Sequence, residues 1–302
     1  MFIKMMIVSE KKNCFLQVKM EGDREEICRA DSGLVVPCIS RKLQAKILAA
    51  AAKHGFSEER QLEAAGRSAC EMLLQLVGGS SRLSPQNSHQ PPSVVILCGG
   101  GGVTDAQQTS TPLILDSSSA IGLAIARNLA NHRVRVAVCV PQKLVELHSK
   151  MPLLSTEMKL LKLTDAKIVN SINDLPSTPT DVIVSALDAS VSGGLSSAND
   201  DWFRGVIQWA NQNKAPILAV DPSGTASAHP PSDPLQAKWS LQFTLPLTST
   251  KKDVDVPFSA TPNSSPQLYL CDLGIPRKVF RETGIQYQSP FGAKSFIALH
   301  RE

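Results

Sequence analysis

The fold class is decided by one stretch of sequence, Val94-Val95-Ile96-Leu97-Cys98 followed by the glycines Gly99-Gly100-Gly101-Gly102. The apolar run is typical of a buried strand, and from Ser118 the chain carries apolar residues at helical spacing as far as Leu129. A strand, a glycine-rich turn and a helix form the first half of a βαβ unit, the usual cradle for a nucleotide. The apolar run at 134–140 predicts the second parallel strand.

The remaining sequence continues this alternation of strands and helices. Serines at 40 and 57 are suitable N-caps for two amphipathic helices, which we expect at 40–54 and 57–76. Further strands are predicted at 181–187, 216–220, 240–244, 268–271 and 293–299, and further helices at 142–161 and 200–213. Such alternation favours an α/β fold, a Rossmann-like three-layer α/β/α sandwich with a mostly parallel sheet.

The chain is predicted to form one domain. Its 302 residues are enough for one large core. Residues 1–33 have mixed charge and no sustained period, so we expect a flexible lead-in before a domain at 34–302. Two segments are too long for tight connections between elements and are interpreted as insertion loops, at about 102–117 and 246–266.

Composition excludes several functional classes. No apolar run approaches the roughly 18 residues that a membrane span needs. The seven cysteines are far apart and none forms a C-x-x-C pair, which indicates a reducing compartment and predicts no metal site. The net charge of +4 permits contact with nucleic acid without requiring it. One predicted helix face is basic and is a candidate RNA surface, although such faces are usually only solvated; it carries Arg41, Lys42, Lys46 and Lys53.

A candidate ligand pocket lies at the carboxyl ends of the predicted strands, where open α/β sheets bind ligands. Its residues follow three strands and are Gly99, Gly100, Gly101, Asp188, Asp221 and Ser223. Two carboxylates beside a glycine turn suit general acid–base work on a nucleotide-like ligand. The alternative is that both aspartates cap the next turn or helix. Thr104 and Gln142 replace the third glycine and the ribose-binding acid of the dinucleotide fingerprint, so the NAD motif is incomplete.

Several strings of residues resemble one known family. They are Asp31–Pro37, Trp209–Asn213, Ala237–Leu241, Leu268–Pro276 and Ser289–Gly292. Together they resemble the YjeF N-terminal family in the form that occurs in enhancers of mRNA decapping, and the resemblance runs in order from Cys28 to His300. It implies a YjeF N-terminal-type, Rossmann-like sandwich of the kind shared with the epimerases that repair hydrated NAD(P)H.

The resemblance implies a cytoplasmic scaffold of mRNA decay rather than an enzyme. Such a domain forms a homodimer and promotes the assembly of decapping complexes and processing bodies. The implied partners are the decapping machinery and a DEAD-box helicase, which bind upstream regions, an Lsm-type domain and a Phe-Asp-Phe segment. Neither is recognisable in residues 1–30, so we expect the chain to be a fragment or the product of a short gene model.

The resemblance also bears on catalysis. Active epimerases carry Asn-Asn-Gly-Gly-Asp-Gly where this chain has Gly101-Gly102-Val103-Thr104-Asp105. Their Val-Asp-Ile-Pro-Ser-Gly segment, whose Asp is catalytic, is similar to Val220–Gly224 with one residue missing, so Asp221 is retained. We therefore expect no catalytic residues, no required cofactor, and a vestigial pocket whose candidate ligand is an NAD-like nucleotide. The alternative is a nucleotide-binding protein with residual epimerase activity.

Overall fold

The computed structural model describes residues 26–99, 118–147, 151–187, 197–221, 235–248 and 266–301. The strands of this part of the chain are β1 Ile27–Ala30, β2 Val35–Pro37, β3 Ser93–Gly99, β4 Arg135–Cys139, β5 Lys167–Val169, β6 Val182–Leu187, β7 Ile217–Val220, β8 Trp239–Phe243, β9 Gln267–Cys271 and β10 Phe296–Arg301. The helices are α1 Arg41–Lys53, α2 Glu58–Leu76, α3 Gly79–Arg82, α4 Ser118–Ala130, α5 Gln142–Leu147, α6 Pro152–Leu161, α7 Ser197–Gln212 and α8 Arg277–Glu282.

The strands form one sheet in the order β2-β1-β10-β9-β8-β7-β6-β3-β4-β5. Neighbouring strands from β9 to β5 are parallel, while β10 is antiparallel to both β9 and β1. The chain passes from β3 to β4 on one side, and β6 lies on the other side of β3. This reversal of strand order beside β3 is the switch point at which open α/β sheets bind ligands.

Helices cover both faces of the sheet, as β3 shows. Val94, Ile96 and Cys98 belong to a core shared with α1, α2, α4, α6 and α8, whereas Val95 and Leu97 belong to a second core with α7. Alternate residues of a strand point to opposite faces, so the two cores lie on opposite sides of the sheet. The predicted three-layer sandwich with a mostly parallel sheet is confirmed.

Helix α4 is held closely between α2 and the sheet. A Cβ atom added at Gly122 would lie 2.6 Å from Cys98 Sγ and 2.8 Å from Ala186 Cβ. On the other side of α4, Arg127 contacts Glu63 of α2 and donates from Nε to Glu157 of α6 at 3.0 Å. One helix is thus tied to two neighbouring helices by charge and to the sheet by close packing.

The structure corrects three details of the sequence-based prediction. Residues 27–30, assigned to the lead-in, form β1, which gains its hydrogen bonds by pairing with β2 and β10. The helical region at 142–161 is two helices because Pro152 begins α6. Strand β5 was not predicted, since it has only three residues. Residues 1–25 of the lead-in, the whole of the first insertion loop and residues 249–265 of the second lie outside the described residues. Among the described residues, no helix is long and apolar enough to cross a membrane.

Candidate functional site

The candidate site lies at the carboxyl ends of β3, β6 and β7. Gly99 is the last residue of β3, and Asp221 directly follows β7. Strand β6 lies between these two strands, so Gly99 and Asp221 are about 10 Å apart across two strand spacings. The fold places both residues at the predicted edge, and their role in ligand binding stays a prediction. Gly100, Gly101, Asp188 and Ser223 lie outside the described residues.

Gly99 is covered by aromatic side chains of α7. A Cβ atom added at Gly99 would lie 2.9 Å from Trp202, from Phe203 and from Leu187. The two rings meet edge to face with their centroids 5.3 Å apart, a favourable arrangement for aromatic pairs. Glycine is therefore required here by packing against the rings, which is a sufficient reason for it without a bound phosphate. Sequence reasoning missed both aromatic residues, because nothing in their spacing connects them with β3.

Asp221 is buried and paired with a cation. Its side chain is 1% exposed and accepts a hydrogen bond from Arg41 Nη1 to Oδ2 at 2.7 Å. Its backbone has φ 43°, in the left-handed region that Asp tolerates better than most residues. The amide N–H of Asp221 donates to the carbonyl of Leu241 in β8 at 2.7 Å, which fixes the turn after β7.

Arg41 is positioned by the first turn of α1. Ser40 is the N-cap of this helix and accepts a hydrogen bond from the amide of Leu43 at 3.2 Å. Arg41 Nη1 also donates to Gln44 Oε1 at 2.9 Å, and the buried Gln44 amide donates to the carbonyl of Phe243 at 3.0 Å. The start of α1 is thereby attached to the ends of both β7 and β8.

This pairing corrects the interpretation of the basic helix face. Lys42, Lys46 and Lys53 are exposed as predicted for a solvated face, but Arg41 turns inward to Asp221. The two residues are 180 positions apart in sequence, so no local pattern could have connected them. Because the Asp221 carboxylate is buried and paired with the Arg41 guanidinium, it is suited to holding α1 against the sheet. The same burial and pairing hinder it from abstracting a proton from a substrate. Among the described residues, no group of three His, Cys, Asp or Glu side chains could hold a metal ion.

A double-mutant cycle tests this structural role. Arg41→Met is expected to lower the free energy of unfolding by about 2 kcal/mol, because it leaves a buried carboxylate without its cation. Asp221→Asn keeps the shape of the side chain, and in that background Arg41→Met should cost about 1 kcal/mol less. Urea unfolding of the four proteins measures the coupling. Lys42→Met, on the neighbouring exposed residue, is the control, and additive effects of the two substitutions would contradict a direct pair.

The chain matches a family model and several named proteins. The family model described as YjeF-related protein N-terminus matches residues 58–249. The proteins named enhancer of mRNA-decapping protein 3 in Danio rerio and Homo sapiens are 38% and 39% identical over 296 and 276 residues, covering 98% and 91% of this chain. These matches cover 51% and 47% of the two relatives, so the chain spans about half the length of the curated relatives it matches.

The crystal structure of the yeast protein ynu0, YNL200c, is similar in fold. It superposes with a TM-score of 0.60 and 16% sequence identity, covering 86% of this chain and 99% of the yeast chain. At this identity the likeness shows the fold alone. The family match covers most of the chain, including α2, the central parallel strands and the Asp221 turn. The resemblance found in the sequence is therefore confirmed, and the chain belongs to the family of YjeF-related protein N-termini.

Proposed function

We propose that this chain is a non-catalytic scaffold domain of an mRNA-decapping enhancer. In this proposal it forms a homodimer in the cytoplasm and promotes the assembly of decapping complexes and processing bodies. The observation that carries it is the similarity to proteins named enhancer of mRNA-decapping protein 3, which extends over 91% to 98% of this chain in the vertebrate relatives. The decapping machinery and a DEAD-box helicase are the proposed partners, with RNA as a candidate ligand of the exposed lysines on α1.

The geometry of the candidate site supports the absence of catalysis. In the epimerases that the sequence resembles, the Asp matching Asp221 is catalytic, and a general base must present its carboxylate to the substrate. Here the carboxylate is 1% exposed and accepts a hydrogen bond from Arg41. Aromatic rings of α7 also pack directly against Gly99, the residue that opens the glycine turn. Both features favour a structural use of the strand ends.

Dimerisation gives such a scaffold its effect. Two linked copies double the number of partner-binding segments and raise their effective concentration without any new contact. Light scattering of the purified chain should give a mass of about 65 kDa, twice the chain mass of 32.5 kDa, at micromolar concentration. The dimeric part of the proposal would be overturned if the mass stays at that of one chain up to about 100 μM. A dimer with a Kd of that size would have a binding free energy of only about 5.5 kcal/mol.

A nucleotide-binding protein with residual epimerase activity is the second candidate, favoured by Asp221 at the end of β7. We expect no epimerisation of hydrated NADH above the uncatalysed rate. Turnover that persists in Asp181→Asn and is lost in Asp221→Asn would instead establish this candidate. Asp181 is the control because it is a carboxylate at the opposite, amino end of β6, where it accepts a hydrogen bond from the Ser93 amide. Calorimetry with NAD⁺, NADH and ADP-ribose tests binding separately from turnover.

A further inference from the structure

Two thiols lie in contact near the β2 edge of the sheet. Cys28 is in β1, and Cys38 directly follows β2. Their Sγ atoms are 3.4 Å apart, and either thiol can be the hydrogen-bond donor. Cys28 is 0% exposed, whereas Cys38 is half-buried and reachable from solvent. Within this dithiol, only Cys38 keeps solvent-exposed surface.

The hairpin brings the two sulfurs together. In the antiparallel pairing of β1 with β2, Cys28 is opposite Val36, so Cys38 is two residues further along and points to the same face. The amide of Cys38 donates to the carbonyl of Glu26 at 3.2 Å, which keeps the residue beside β1.

The charges around the pair favour ionisation of one thiol. The hydrogen bond from Cys38 lowers the pKa of Cys28, and burial opposes this effect. The guanidinium of Arg301 also lowers the pKa of Cys28, whereas the carboxylate of Glu26 raises it. Arg301 lies in β10, directly opposite Cys28 in the pairing of β10 with β1. By contrast, burial raises the pKa of Cys70 and of Cys139 to about 12. The same hydrogen bond between the two thiols, together with burial, raises the pKa of Cys38, so Cys28 is the thiol of the pair that ionises first. The thiolate is the reactive form of cysteine, so reactivity is concentrated in the hairpin.

We infer that Cys28 and Cys38 are a redox-active pair that closes to a reversible disulfide, with a low-molecular-weight disulfide such as glutathione disulfide as the oxidant. Cys38 passes its proton to the Cys28 thiolate along their hydrogen bond, and the Cys38 sulfur attacks one sulfur of glutathione disulfide and releases glutathione thiolate. Cys28 then loses its proton to solvent, and its thiolate attacks Cys38 Sγ and releases the second glutathione. The two cysteines lose two electrons and two protons, and glutathione disulfide is reduced to two glutathiones.

The closure reaches the candidate site through a short segment. Bond formation brings the sulfurs from 3.4 Å to about 2.05 Å, and Cys38 is joined directly to the segment that leads into α1. Ile39 follows Cys38 and exchanges backbone hydrogen bonds with Pro246 and Thr248, and Ser40 then caps the helix that carries Arg41. Oxidation of the dithiol therefore acts at the base of α1.

The experiment counts thiols at graded ratios of oxidised to reduced glutathione. Cys14→Ser removes the cysteine outside the described residues and leaves six thiols. We expect the folded protein to lose two thiols, from six to four, with a mass decrease of two hydrogens and one disulfide linking residues 28 and 38. Dithiothreitol should restore all six. Retention of six thiols at the most oxidising ratio, or a lasting glutathione adduct, would overturn the inference.

Single substitutions distinguish the two sulfurs. Cys28→Ser should leave Cys38 as a stable mixed disulfide with glutathione, whereas Cys38→Ser should leave the buried Cys28 unmodified. Equal labelling of both variants would contradict the assignment of Cys38 as the entry point. Each variant is compared with its parent by thermal unfolding before it is used.

A trivalent arsenical tests the pair without changing either cysteine. Phenylarsine oxide condenses with two adjacent thiols, forms two arsenic–sulfur bonds and releases water. We expect one equivalent to block two thiols of the folded Cys14→Ser protein, with reversal by a dithiol but not by glutathione. If the folded protein binds no arsenical, the two sulfurs do not act together and the inference fails.

Discussion

Gly122→Val is expected to lower the free energy of unfolding by about 3 kcal/mol or more, and so to deplete the folded protein. The added Cβ would lie 2.6 Å from Cys98 Sγ and 2.8 Å from Ala186 Cβ, distances that real Cβ atoms essentially never show. Both neighbours are buried in adjacent central strands, and neither can move without shifting β3 or β6. Urea unfolding followed by tryptophan fluorescence measures the loss.

Alanine substitutions at two helical glycines give a matched comparison. Gly122→Ala should destabilise by about 1–3 kcal/mol despite the gain of about 1 kcal/mol in helix propensity. At Gly205 in α7 the new Cβ would meet only the flexible end of Ile172, so Gly205→Ala should stay within about 1 kcal/mol of the parent. Cys98→Ala should recover part of the loss in Gly122→Ala. Equal stability of the two glycine variants would show that α4 can move away from the sheet.

Arg127→Met is expected to cost about 3–5 kcal/mol, because it strips the cation from a buried carboxylate. The Glu157 side chain is 7% exposed, while that of Glu63, on the same guanidinium, is 44% exposed. Glu63→Gln should therefore cost only about 0–1 kcal/mol. The double substitution Arg127→Met with Glu157→Met should recover most of the stability, since no charge is then left in the core. A loss in the double variant as large as in Arg127→Met would show that side-chain packing dominates.

The pH dependence of the stability of Arg127→Met gives a second test of this ion pair. Burial raises the pKa of Glu157 above its usual value near 4.5, and the hydrogen bond from Arg127 opposes that rise. A carboxyl whose pKa is higher in the folded state binds more protons there, so its contribution to the free energy of unfolding falls as pH rises through that range. Removing Arg127 raises the folded-state pKa further. The deficit of Arg127→Met should thus be smaller at pH 5 than at pH 7, and Glu157→Gln should remove the difference.

Most of the sandwich could be predicted because its central strands are buried on both faces. Such strands are continuous apolar runs that end at glycine, proline or aspartate, as β3 and β7 do. Strand β1 could not be found in this way. Its sequence Ile27-Cys28-Arg29-Ala30 is half-buried, and it is a strand because β2 and β10 lie beside it. Pairing between distant segments leaves no local trace in the sequence.

The candidate site also combines features that the local sequence predicts with contacts from distant segments that it does not. Topology alone places Gly99 and Asp221 at one edge of the sheet, since parallel strands end together. The residues that decide the character of the site come from other elements. Arg41 reaches Asp221 from α1, and Trp202 and Phe203 reach Gly99 from α7. A prediction from motifs finds the strand ends but not the side chains that cover them.

The pairing of β1 with β10 has a consequence for folding kinetics. Asp31 and His300, which hydrogen-bond beside these strands, are 269 residues apart in sequence. While the chain is being synthesised, β1 has only β2 to pair with, and a two-stranded hairpin alone is marginally stable in water. The hairpin must wait until β10 has been synthesised, so closure of the sheet at this edge follows the formation of the strands between β2 and β10 in the sequence. Until then, the thiols of Cys28 and Cys38 are exposed to the redox conditions around the nascent chain.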